Sequence, residues 1–146
     1  MHRVQQILNA AGAVLAANPS LRATVEVNRV RSLSEEQQEL PALTVNYGAD
    51  VPDESESFEG LGSAVEILLS AFCAGDSETE VLERLLELRS QSHLALMANM
   101  SLGLSFLWEI RYGGADAPVL QQGERMLGAQ TSRWSARYLM DNDDPQ

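Results

Sequence analysis

A chain of 146 residues, 45% of them hydrophobic, has the size of one domain and should bury about 68 to 70% of the surface its unfolded form exposes, so a core needs no disulfide or metal staple. Its formal net charge is −11, every one of its ten basic residues is an arginine, and 21 residues are acidic. Such a surface repels phosphate and excludes generic nucleic-acid binding.

Cys73 is the single cysteine; it cannot close an internal disulfide, and in an apolar run it reads as a small buried hydrophobe. No window approaches the ~20 apolar residues of a membrane span. Residues 1 to 17 carry Gln5, Gln6 and Asn9 where a signal peptide keeps an apolar centre, which predicts cytoplasmic synthesis.

Residues 3 to 17 place Val4, Ile7, Leu8, Ala11, Val14 and Leu15 at helical spacing. Asn18-Pro19 ends that helix, because a residue before proline leaves the α region. Residues 24 to 31 are rich in β-branched residues and predict a strand whose alternation slips near Asn28, as a bulge would make it. A polar tip, residues 32 to 39, leads to a second strand over 40 to 48, with Leu43, Val45 and Tyr47 on one face and Pro41 at its start. The two are expected to form a hairpin. An acidic loop, residues 49 to 60, follows with Asp50, Asp53, Glu54, Glu56 and Glu59; its composition buries too little apolar surface to order itself.

Periodicity does not separate strand from helix over Leu61 to Ala74. A strand puts Val65, Ile67, Leu69, Ala71 and Cys73 on one face, whereas a helix aligns Leu61, Val65, Leu68, Leu69 and Phe72. Flanking Gly60, Gly62 and Gly75 favour the strand. Next, Ser77-Glu78-Thr79-Glu80 is a capping box that opens a helix running toward Asn99, and its glutamates suit the positive end of the helix dipole. Residues 102 to 112 alternate, with Leu102, Leu104, Phe106, Trp108, Ile110 and Tyr112 on one face of a predicted strand. A long loop, 113 to 125, precedes a final strand through Leu139, and residues 141 to 146 read as a disordered tail.

No set of residues converges on a chemistry. His2 and His93 lack spacing partners for zinc, and a Cys73–His93 pair falls in apolar segments where packing is the better explanation. The run Asp50 to Glu56 lacks the spacing and glycine of an EF-hand, and no Lys-Ser or Lys-Thr follows Gly60-Leu61-Gly62. The expectation is a protein without catalytic, cofactor-binding or metal-binding residues.

The order of these elements resembles the phage tail terminator proteins, which cap the tail tube of long-tailed phages. The resemblance rests on the opening helix, on Arg29-Val30-Arg31-Ser32-Leu33 leading through acids to Leu40-Pro41-Ala42-Leu43-Thr44-Val45-Asn46-Tyr47-Gly48, and on the capped helix. It rests also on Ile110-Arg111-Tyr112, on Gln122-Gly123-Glu124-Arg125-Met126-Leu127-Gly128-Ala129, and on the ending Arg137-Tyr138-Leu139.

The resemblance covers nearly the whole chain. It implies an α/β (α+β) sandwich, a mostly antiparallel sheet of four to five strands packed against two helices, with Leu61 to Ala74 as the third strand. It also implies a virion protein that forms a homo-hexameric ring on the tail tube protein, stops polymerisation, offers a face to neck or head-completion proteins, and lets DNA through its lumen unbound. Assembly in the host cytoplasm, with no cofactor, turnover or membrane, belongs to that picture. Arg29, Arg31, Arg111, Arg125, Arg133 and Arg137 are the candidate interface residues, because arginine's planar fork suits fixed carboxylates of a neighbouring subunit. The polar run Gln130 to Ser135 departs from the family pattern and predicts an edge strand completed by a neighbour. Two alternatives stand beside this one: another head-tail joining protein, or a small ligand-binding or enzymatic α/β domain.

Overall fold

Glycine-flanked residues 62 to 75 are a strand: apolar positions alternate along them, and Val65, Ile67, Leu69, Ala71 and Cys73 are buried on one face. The computed structural model describes residues 2–28, 40–52 and 62–139. In chain order these form α1 (Arg3–Ala16), β1 (Thr24–Val27), β2 (Ala42–Pro52), β3 (Gly62–Gly75), α2 (Glu78–Met97), β4 (Leu107–Ala115), β5 (Val119–Gln122) and β6 (Met126–Leu139). The fold is α+β, with two helices and a mixed six-stranded sheet in the order β1-β2-β3-β6-β4; β5 pairs with β6 on the side that β4 occupies.

The two 14-residue strands, β3 and β6, pair antiparallel over their full length, from Gly62 opposite Leu139 to Gly75 opposite Met126. Both helices lie on one face of this ladder. Val4, Ile7, Leu8, Ala11 and Leu15 of α1 and Val81, Leu85, Leu88 and Leu96 of α2 close over Leu43, Val45, Ile67, Trp134, Ala136 and Tyr138. Gly12 permits the approach of α1 to β1, since a Cβ there would lie 2.6 Å from Val27 Cγ2. The α2 cap forms with a variation: Glu80 N–H donates to Ser77 Oγ at 3.2 Å, while the Glu80 carboxylate accepts from Asp76 N–H at 3.0 Å.

Five expectations are corrected. First, β1 and β2 pair parallel and form no hairpin. The stretch between them exceeds the dozen residues a parallel return requires, and Asn28, at φ 61°, ends β1 where a bulge was expected. Second, β2 runs on to Pro52, so residues 49 to 52 are strand and not acidic loop; residues 53 to 60 lie outside the described residues.

Third, the expected strand over 102 to 112 begins only at Leu107, because Leu102 and Gly103 adopt φ of 51° and 73° in a turn. A register shift between Leu107 and Glu109 then breaks the alternation. Leu107, expected on the other face, is buried together with Ile110, and Trp108, expected to share the face of Ile110, is 42% exposed. Fourth, the loop over 113 to 125 holds the end of β4 and all of β5, so the sheet has six strands where four to five were expected.

Fifth, β6 is an interior strand between β3 and the β4–β5 side. Its polar residues are satisfied within the sheet: Thr131 Oγ1 lies 2.8 Å from Ser70 Oγ, and Ser132 Oγ donates to the Leu69 carbonyl at 3.4 Å. Of the residues that suggested an edge, Thr131 and Arg133 lie on the face without a helix, while Ser132 is buried on the helix side.

Candidate interaction surfaces

Among the described residues, the two histidines and the cysteine are kept apart. His2 caps α1, its Nδ1 accepting from Val4 N–H at 3.0 Å. His93 packs against Tyr112 and Trp134, with ring centroids 4.9 and 5.2 Å away. The Cys73 thiol donates to the Val81 carbonyl at 3.6 Å, and burial pushes it up to about 11 against the opposing pull of Arg84. His93 follows Val81 by roughly 18 Å of helix at 1.5 Å per residue, so the fold does not bring Cys73 and His93 together. Among the described residues no three His, Cys, Asp or Glu side chains are grouped to hold a metal ion, and no helix is long and apolar enough to cross a membrane.

Of the arginines singled out, Arg29 and Arg31 lie outside the described residues. The other four have acids of their own chain as partners. Arg133 bridges Asp116 at 3.0 Å and Glu66 at 3.5 Å, and the hydrogen bond to Asp116 holds its guanidinium more firmly protonated. Glu109 accepts from both Arg111, at 2.9 Å, and Arg137, at 3.2 Å, while Arg137 also stacks over Trp108. Arg125 stands 3.7 Å from Asp76. Arg111, Arg133 and Arg137 project on the helix-free side because alternation along β4 and β6 sends Ile110, Trp134, Ala136 and Tyr138 inward.

The described residues form two broad surfaces. On the helix-free side, the twisted sheet forms an open cleft of about 450 Å³ floored by Thr44, Leu68, Ser70, Phe72 and Thr131, with Arg133 and Asp116 at its rim. On the helix side, a groove of about 470 Å³ runs between α2 and β4 and is lined by Leu86, Arg89, Ser90, His93, Leu94 and Tyr112. Leu86 and Leu94 are 56% and 62% exposed there. Inspection of the sequence missed this groove, though Leu86 and Leu94 stand off the stripe set by Val81, Leu85, Leu88 and Leu96, and that spacing was the available signal. It also missed β5, whose Val119-Leu120-Gln121-Gln122 is too short for alternation to register.

Both surfaces are shallow and mix hydroxyl, apolar and charged groups, which suits contact with other macromolecules better than enclosure of a small substrate. No protein-family model matches the chain, and no curated protein matches it significantly.

Proposed function

We propose that this protein is a structural tail terminator of a long-tailed phage, a ring that caps the tail tube, stops its polymerisation and offers an attachment surface to the head or neck. The observation that supports this most is the element order. The helix, three strands, capped helix and closing strands expected of that family occur here in sequence, and β5 is the one addition. A stiff sheet with both helices on one face and an acidic composition suits a subunit that lines a passage for DNA without holding it. Ring formation is heterologous association, in which two different patches of one subunit meet and the rotation closes.

The test is to add the purified protein to tail tube subunits that are polymerising. The proposal expects tubes of limited length carrying one ring at a single end. Unchanged tube growth, with no protein at either end, would refute it.

A further inference from the structure

Among the described residues the sheet has two lateral edges, and they differ in how they are protected. The β4 edge carries two register shifts, Glu109 and Arg111, and Gly114 at φ 104°. Bulges and charges of this kind discourage pairing with another chain. Beyond it on the same side lies β5, four residues without a charge or a shift, Val119 to Gln122. At the opposite edge is β1, also four residues. There Thr24 N–H donates to the Pro41 carbonyl at 3.0 Å and Asn28 N–H to the Val45 carbonyl at 2.9 Å. Alternation along β1 therefore turns the Val25 and Val27 amides and carbonyls away from β2.

These two edges stand at one level of the sheet. A single row of partners crosses it: Thr24 opposite Ala42, Ala42 opposite Phe72, Phe72 opposite Ala129, and Ala129 opposite Val119. Strand direction is also compatible, because β1 runs with β2 and β6 while β5 runs against them. A second copy set beside the first without inversion would pair its β1 antiparallel with β5.

Side-chain parity then limits the register to even slips, which keep each face on its own side. A slip of two residues, about 7 Å, opposes Thr24 to Gln121, Val25 to Leu120 and Glu26 to Val119. Val25 and Leu120 both pack toward the helix side, whereas Thr24 and Gln121 are both exposed. Stagger between neighbouring strands is what a sheet needs to curl and close.

We infer that copies of this chain join head to tail by antiparallel pairing of β1 with β5 of the next copy, in the register Thr24–Gln121, Val25–Leu120 and Glu26–Val119. The inference rests on the ring proposed above and names the surfaces that build it. Three residue pairs make a small contact, so closure, which gives every copy two such contacts, holds the assembly together.

The test is disulfide trapping with the full chain. Thr24→Cys and Gln121→Cys are combined in one protein, and Cys73 is buried and does not compete. Opposed residues in a cross-strand pair bring their Cβ atoms to about 4.5 to 5.5 Å, near disulfide reach. Oxidised glutathione should convert the double variant into a ladder ending at one closed species. The single variants, mixed, should give dimers only. A control pairing Thr24→Cys with Arg111→Cys should stay monomeric on a non-reducing gel.

Self-association without trapping, or equal trapping in the control, overturns the edge pairing and leaves the terminator proposal standing. Trapping in an open ladder with no closed species overturns the terminator proposal and upholds the pairing. A protein that stays monomeric and untrapped overturns both.

Discussion

The Tyr138 hydroxyl donates to one oxygen of Asp50 at 2.9 Å, while Ser63 donates to the other at 2.7 Å. Asp50 reaches them because the β2 register shifts between Tyr47 and Asp50, turning a carboxylate at the strand's exposed end toward a fully buried phenol. A hydrogen bond to a charged acceptor contributes about 1.5 to 3 kcal/mol. Tyr138→Phe should lose roughly that amount in urea unfolding with an unchanged slope. Adding Asp50→Asn to Tyr138→Phe should cost less than Asp50→Asn does alone. Additive costs would show that the contact is not made in solution.

Gly128 faces α2 so closely that a Cβ would lie 2.3 Å from Val81 Cγ1 and 3.1 Å from Leu85 Cδ1. Val81 is fully buried and β-branched, so it cannot swing aside. Gly128→Ala should destabilise by about 1 to 3 kcal/mol, and Val81→Ala in the same chain should recover part of that loss. Gly48 supplies the contrast, because its Cβ would meet only the Glu66 side chain, which can rotate away. Gly48→Ala should cost much less in the same thermal unfolding experiment.

The raised Cys73 thiol has a consequence for stability at high pH. Burial favours the neutral form, so the unfolded chain loses its proton near the ordinary value of 9.0 while the folded chain holds it to about 11. Between those values the unfolded state binds fewer protons, and folding stability must fall as pH rises. The Cys73 contribution is complete below pH 9.0 and is lost by about 11. Cys73→Ala should flatten this part of the stability profile relative to wild type, and the native thiol should resist alkylation at pH 8 in the folded protein.

Each copy carries a charge of −11, so subunits in a ring repel one another. Salt screens that repulsion, with a Debye length near 10 Å at 0.1 M. Self-association, followed by sedimentation, should therefore strengthen between 50 and 300 mM salt, on the order of the Debye-length range in which exposed charges are screened. Association that weakens with salt would assign the contact to ion pairs between subunits and away from backbone pairing.

Elements with strong local signals were legible in the sequence. The α1 stripe and the Ser77 cap depend on contacts within a few residues, so spacing alone reveals them. Hidden were features decided at long range. The parallel β1–β2 pairing depends on where a chain segment returns, and β1 contains nothing that encodes the direction of its partner. Trp108 left its expected face because a bulge shifted the period by one. The central place of β6 was obscured because Arg133, Thr131 and Ser135 answer to the helix-free face, and polarity on one face looks the same in an edge strand and an interior strand. For the candidate interface, the outward projection of Arg133 and Arg137 followed from alternation, whereas their partners Asp116, Glu66 and Glu109 come from distant positions that spacing cannot connect.

The central claim is that this chain closes into a ring, and native mass spectrometry over a range of protein and salt concentrations tests it most directly. The account predicts that the monomer gives way to one dominant hexameric mass that stops growing as concentration rises. A monomer at every concentration, or a series of masses that lengthens without limit, would contradict it.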